Sequence, residues 1–143
     1  MENCVFCKII RGELPCSRVY EDDEAIAFMD IGPIVKGHIL VVPKSHYAHL
    51  LETPPDVLKH LIVTAQKIAG AQKRALRADG INIMQSNCQA AGQVVNHIHF
   101  HVIPRFNADG HHWNWKPRPY ADNKEMQALA EKIGAELKAH SKN

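Results

Sequence analysis

The chain has no excess of charge of one sign, no long apolar run and no export signal. Seventeen Lys and Arg against fifteen Asp and Glu leave a formal net charge of +2. A protein that grips nucleic acid by neutralising phosphates is far more lopsided, so no nucleic-acid partner is expected. The most apolar stretch near the middle, Ile39-Leu40-Val41-Val42, is much too short to cross a bilayer, so no membrane partner is expected either. Met1-Glu2-Asn3-Cys4 lacks a basic region leading into an apolar one, which predicts a cytoplasmic protein. In that compartment Cys4, Cys7, Cys16 and Cys88 are expected as reduced thiols or metal ligands. No repeat, low-complexity tract or Gly/Ser linker divides the sequence. With 143 residues, 16.0 kDa and 45% hydrophobic content, residues 1–143 are expected to form a single domain with one core. What stands out is histidine, 10 of 143 residues.

Pattern then gives elements. Residues 5–11 predict a short helix ended by Gly12, and Val19–Glu21 with Ala25–Met29 predict a hairpin turned at Asp22-Asp23-Glu24. His38–Val42 is a β-branched run stopped by Pro43. A long helix follows, with Thr53 as N-cap and Pro54, Pro55 and Asp56 in its first turn. Val57, Leu58, Leu61, Ile62, Ala65, Ile68, Ala69, Ala75 and Leu76 recur at helical spacing, and Gly80 closes the run. Ile81–Gln85 reads as a strand, 88–93 as a small-residue loop and His97–Ile103 as a strand ended by Pro104. Residues 105–122 are irregular, and a last helix from about Lys124 carries Met126, Leu129, Ile133 and Leu137 on one stripe. Neighbouring strand pairs around one long helix argue an α+β fold with a largely antiparallel sheet.

His97-Ile98-His99-Phe100-His101-Val102-Ile103 is the most informative segment. On a strand Ile98, Phe100 and Val102 share one face and the three histidines the other. Solvent-facing strand positions ordinarily draw on Thr, Lys, Glu and Ser, so three imidazoles on one face point to chemistry. Positions i and i+2 lie about 6.6 Å apart and i and i+4 about 13 Å. One zinc with Zn–N bonds of about 2.0–2.1 Å is poorly placed to take all three. Division of labour fits better: one histidine as nucleophile or base, its neighbours orienting it or binding an anion.

The segment resembles the histidine-triad motif, three histidines alternating with apolar residues, and Gly92-Gln93 lies just upstream as in that superfamily. The resemblance extends to Cys4–Ile10, Ala27–Ile31 and Gly37–His46, in the family's order, and covers about 4–105, leaving 106–143 as an extension. The chain resembles bacterial-type histidine-triad nucleotide-binding proteins. The implied fold is a sheet of about five strands with one long central helix and a C-terminal helix. The implied activity is hydrolysis of purine nucleoside 5'-phosphoramidates to the nucleoside monophosphate through a covalent nucleotidyl-histidine. By resemblance His99 is the nucleophile, His101 contacts phosphate and aids the leaving group, and His97 completes the catalytic set. Gly92, Gln93 and Asn87 would meet phosphate or leaving group through amide donors. Asp30 would accept the ribose hydroxyls, and Phe6, Ile9, Leu14, Phe28 and Ile31 would sandwich the base. On periodicity alone these five are plain core packing. His101 stands where nucleotide-transferring relatives have glutamine, which favours hydrolysis. Val94 stands where some relatives have a hydroxyl residue, which leaves the leaving group open. Rival readings are a dinucleoside polyphosphate hydrolase, a nucleotide-binding interaction protein with incidental catalysis, and a hydrolase with metal on the triad itself.

Cys4-x-x-Cys7 has metal-ligand spacing but supplies only half a tetrahedral site. A redox reading needs a preceding strand that three residues cannot provide. The resemblance implies a structural zinc completed by His46 and His97. His38 is an alternative partner orienting the triad, while His49 and His60 are expected at the surface. His111, His112, Trp113 and Trp115 either cover the pocket or reach a partner subunit, since the family implies a homodimer; local packing of the tryptophans is the plainer alternative.

Overall fold

The computed structural model describes residues 1–141 and divides into two compact units, Met1–His111 and His112–Asn143. All the motif-bearing residues lie in the first. Its elements run α1 (Val5–Ile10), β1 (Arg18–Glu21), β2 (Ala25–Met29), β3 (Ile39–Pro43), α2 (Pro55–Leu76), β4 (Gly80–Met84) and β5 (Phe100–Arg105). The five strands make one antiparallel sheet in the order β1-β2-β3-β5-β4.

Alternation along the central strands divides the core into two layers. Ala25, Ala27, Ile39 and Val41 join Leu61, Ala65 and Ile68 of α2 on one side of the sheet. Ile26, Phe28, Leu40 and Val42 join Phe6 and Ile9 of α1 on the other. Strands covered on both faces need continuous apolar runs, and β2 and β3 have them. The β1–β2 turn is made by Asp22, whose Oδ1 accepts from the Glu24 and Ala25 amides at 2.8 Å each. Its Oδ2 accepts from Tyr20 and lies 2.8 Å from His60 Nε2, while His60 Nδ1 sits 3.1 Å from Glu24. His60 is therefore not surface decoration; it pins α2 to the hairpin.

Three sequence expectations change. Pro54, not Thr53, caps α2, without a side-chain bond, because the Thr53 hydroxyl turns back to the His49 carbonyl at 2.8 Å. Gly80 does not end α2. Arg77 does so in the left-handed region (φ 57, ψ 39), and the Asp79 amide already bonds to the Arg105 carbonyl, so Gly80 opens β4. The triad strand begins only at Phe100 and continues through Pro104 to Arg105. Residues 97–99 precede the ladder because Ile98 N donates to the Tyr47 carbonyl at 2.7 Å instead. The alternation of faces survives: Ile98 and Val102 are buried in the α2 layer, with Phe100 packed against it. On α2 itself Ile62 and Leu76 are exposed, and polar Thr64 and Gln72 occupy the buried stripe.

The second unit carries α3 (Asn123–Ala139), N-capped by Asp122 through the Glu125 amide at 2.8 Å. Its stripe of Met126, Leu129, Ile133 and Leu137 is exposed. No helix among the described residues is long and apolar enough to cross a membrane.

Candidate functional site

A groove of about 480 Å³ opens beside α1, where β2 ends and β3 begins. Phe6, Ile9, Phe28 and Leu40 form its apolar floor, Leu14 and Asp30 line it, and His99 and His101 stand at one end. Ile31 also lines it, yet is about 102% exposed, an apolar side chain that no core packing explains. Gly92 and Val94 border the opening, with Val94 exposed. The structure thus gathers Phe6, Ile9, Leu14, Phe28, Asp30, Ile31, Gly92, His99 and His101 around one space. Sequence reading missed Leu40 and Val95 as lining residues. The alternation of β3 could have supplied Leu40; nothing in the local pattern marks Val95.

Asn87 and Gln93 lie elsewhere, and both are committed to loop architecture. Asn87 and Gln85 exchange side-chain bonds at 2.6 and 2.8 Å, and Asn87 Oδ1 also accepts from Leu50 N. Gln93 is buried; its Oε1 accepts from Cys88 N at 2.7 Å and its Nε2 donates to the Ala48 and Val95 carbonyls. The Gly92 and Gln93 amides bond to Gln89 and Cys88 carbonyls within the same turn. Gly92 takes φ 91 there, a left-handed conformation suited to glycine.

The backbone assigns the imidazole tautomers. His99 Nδ1 lies 2.7 Å from the His97 carbonyl, which only accepts, so Nδ1 carries the proton and Nε2 keeps a lone pair. Ile34 N donates to His38 Nδ1 at 3.1 Å, so His38 carries its proton on Nε2. That proton points to His101 Nδ1, 2.9 Å away, and His101 must therefore carry its own on Nε2. Two adjacent rings, 4.9 Å between centroids, so present opposite characters: an acceptor nitrogen on His99 and a donor on His101. The Phe6 ring meets His99 edge-on at 5.1 Å and fixes its plane. Burial pushes the His99, His38 and His101 pKa values down, His101 to about 4 with help from its histidine neighbours, and Asp30 opposes this. The cluster is neutral at neutral pH. Asp30 is itself braced, its Oδ1 accepting from Gly32 N at 2.8 Å and its Oδ2 lying 3.6 Å from His38 Nε2. Sequence reading left His38 as an alternative partner; the structure places it against His101.

The fourth expected group, His97, faces away from this pair and meets Cys4, Cys7 and His46, whose ligand atoms converge within 4.8 Å. Cys4 caps α1 and accepts from Cys7 N at 3.4 Å, so the C-x-x-C spacing is that of a helix cap and its third residue. His97 Nε2 donates to the Pro43 carbonyl at 2.8 Å, leaving Nδ1 bare. Around that nitrogen lie His46 Nδ1 at 3.1 Å, Cys4 Sγ at 3.4 Å and Cys7 Sγ at 3.6 Å; Cys7 Sγ lies 3.4 Å from His46 Nδ1. A tetrahedral zinc with Zn–N of about 2.0–2.1 Å and Zn–S of about 2.3 Å has ligand–ligand edges of roughly 3.3–3.8 Å. The donor set fits, and the Pro43 bond is the outer support such a histidine ligand requires. Asp30, His38 and His101 also lie within 4.8 Å of one another. There the fit fails, because Ile34 N holds the His38 proton on the nitrogen that a metal would need.

The HIT domain family model matches residues 11–108. The adenosine 5'-monophosphoramidase hnt1 of Schizosaccharomyces pombe is 35% identical over 137 residues, 95% of this chain and 99% of that protein. A crystal structure from Streptococcus mutans UA159 superposes with a TM-score of 0.90 at 41% identity, covering 96% of this chain and 87% of that one. A zinc-bound histidine triad family protein from Mycobacterium smegmatis gives 0.76 at 37% identity, covering 94% and 97%. With its five-stranded antiparallel sheet and its three histidines in order, the chain belongs to the HIT domain family.

Proposed function

We propose that this protein is a nucleotide hydrolase that cleaves purine nucleoside 5'-phosphoramidates to the monophosphate and an amine. The observation that carries the reading is the pair of opposite tautomers, His99 with a bare Nε2 beside His101 with a protonated one, at the end of an apolar groove. The base enters the slot of Phe6, Ile9, Leu14, Phe28 and Ile31, and Asp30 accepts the ribose hydroxyls. Gly92, which borders the groove, stands at the phosphate and leaving-group end, on a loop that Gln93 and Asn87 hold in shape. His99 Nε2 attacks phosphorus, forming a P–N bond as the substrate's own P–N bond breaks. The bound phosphate's negative charge favours a proton on the His38–His101 pair. His101 delivers that proton to the departing amine, and the water that next cleaves the nucleotidyl–His99 bond returns one.

The amine is favoured over a polyphosphate leaving group because, among the described residues, no Lys or Arg lines the groove. A departing polyphosphate would find no cation to stabilise it. The fission-yeast relative, named a monophosphoramidase, supports the same choice. Cys4, Cys7, His46 and His97 hold a structural zinc, as the donor geometry and the zinc-bound mycobacterial relative support. Zinc there ties α1 to the triad segment; it stands outside the chemistry. A homodimer is supported by β4 as an outer strand with exposed Ile83, and by exposed Ile62 and Val63 on α2. The unpaired thiols suit the cytoplasm.

The deciding experiment compares kcat/KM for an adenosine phosphoramidate and a diadenosine polyphosphate. The expected order places the phosphoramidate first. Preference for the polyphosphate would refute the leaving-group argument, and His99→Ala with unchanged turnover would refute the nucleophile.

A further inference from the structure

Gln72 lies on the face of α2 that packs against the sheet and is about 3% exposed. Its Nε2 group donates twice, at 2.9 Å each, to the carbonyls of Gly37 and Val102. Gly37 immediately precedes His38, and Val102 immediately follows His101. One amide therefore joins the backbone beside both imidazoles of the 2.9 Å His38–His101 bond.

The sheet cannot make this tie by itself. Ile39 opposite Val102 is the last pair of the β3–β5 ladder. Beyond it Gly37 adopts φ 101, and a Cβ there would meet Leu76 at 2.7 Å and Pro104 at 3.0 Å. Pro104, the backbone neighbour at that point, has no N–H to offer the Gly37 carbonyl. Gln72 supplies the missing donor. The orientation of its amide is fixed, because both partners are acceptors and a flip would set Oε1 against two oxygens. The buried Oε1 itself makes no hydrogen bond in the structure. A leucine or methionine would fill the site without burying that oxygen.

We infer that Gln72 is a positioning residue for the His38–His101 pair. It holds the two backbones at the separation where His38 Nε2 meets His101 Nδ1, and so keeps the His101 proton on Nε2. The consequence for rate rests on the role proposed above for His101; the consequence for the tautomer does not.

The test uses the full chain carrying Gln72→Leu or Gln72→Met, with Ile68→Val as a control for packing on the same helix. Histidine ¹⁵N spectra, Tm, kcat and KM are measured for each. In the wild type, His38 and His101 are each expected in one tautomer. Both Gln72 variants are expected to show mixed tautomers at His101, with His38 and His99 unchanged because their bonds to the Ile34 amide and the His97 carbonyl are separate. A fall in kcat of roughly tenfold to hundredfold is expected, short of the roughly 10²–10⁴-fold that complete loss of a positioned acid costs, with KM little changed. Ile68→Val is expected to lower Tm without either effect. If Gln72→Leu does not fold, Gln72→Met gives the same comparison with the side-chain shape retained. A single His101 tautomer in the folded Gln72 variant, or a kcat matching Ile68→Val at equal Tm, would overturn the inference. His101→Ala with unchanged kcat would instead refute the catalytic role of His101, and the spectra would still decide for Gln72.

Discussion

Replacing Phe6 with alanine should do more than open a hole. Phe6 is buried and its ring meets three others edge-on: Phe28 at 5.5 Å, His97 at 5.9 Å and His99 at 5.1 Å. Truncating a buried phenylalanine to alanine costs about 3–5 kcal/mol, from lost transfer free energy and the residual cavity. Edge contacts of this kind add about 0.5–1.5 kcal/mol per aromatic pair beyond area. The upper half of the range is therefore expected. The six-residue α1 cannot persist as an isolated helix. Its anchors are Phe6, Ile9, Cys4 at its N-cap and Cys7 within it, so loosening Phe6 also loosens the Cys4–Cys7 pair and the groove floor. Urea unfolding of the metal-free protein gives the stability change, and nucleotide binding gives the functional one. Phe6→Ala is expected to lose about 4–5 kcal/mol and to weaken nucleotide binding, while Phe6→Leu loses about 1–1.5 kcal/mol as a closer volume match. A loss below about 1 kcal/mol for Phe6→Ala, with binding intact, would refute the packing of α1 described above.

Asp22→Asn is expected to reduce stability by about 2 kcal/mol at pH 7, since charged hydrogen bonds are lost. Burial alone would raise the Asp22 pKa, but bonds from Tyr20, the Glu24 and Ala25 amides and His60 outweigh it and hold the carboxyl well below the usual range. A carboxyl depressed in the folded state contributes stability above its unfolded pKa of about 3.9 and loses it as pH falls further. The deficit of the variant, followed by urea unfolding from pH 7 to 3, should therefore shrink below about pH 4; a constant deficit would contradict the reasoning. Cys7→Ser should release bound zinc, measured with a chromogenic chelator, and lower Tm while leaving His99 able to react in the fraction that stays folded. Complete loss of chemistry in folded, metal-free protein would place the metal in the reaction. Asp30→Ala is expected to raise KM for a ribonucleotide more than for its 2'-deoxy analogue; equal effects would exclude the ribose contact.

Much of this was legible in the sequence because alternation is a local signal. The histidine faces, the β2 and β3 strands, and the gathering of Cys4, Cys7, His46 and His97 all follow patterns within a few residues of one another or a stated family motif. What was not legible depended on partners distant along the chain. His60 looked like surface until Asp22 and Glu24 were seen around it. Thr53 has an N-cap pattern, but its hydroxyl is taken by His49. Gln72 carries no motif at all, since its meaning lies in two carbonyls contributed by β3 and β5. The ring nitrogens that bear protons were set by the backbone of Ile34 and His97, which no residue pattern encodes.

The central claim is that His99 Nε2 forms a bond to phosphorus. It is tested most directly by stopping the reaction of an adenosine phosphoramidate within the first turnover and sequencing the peptides by mass spectrometry. The account predicts a nucleotidyl group on the peptide carrying His99, labile in acid and absent from His99→Ala. Turnover under the same conditions with no adduct on His99, and with His99→Ala as active as the wild type, would contradict it.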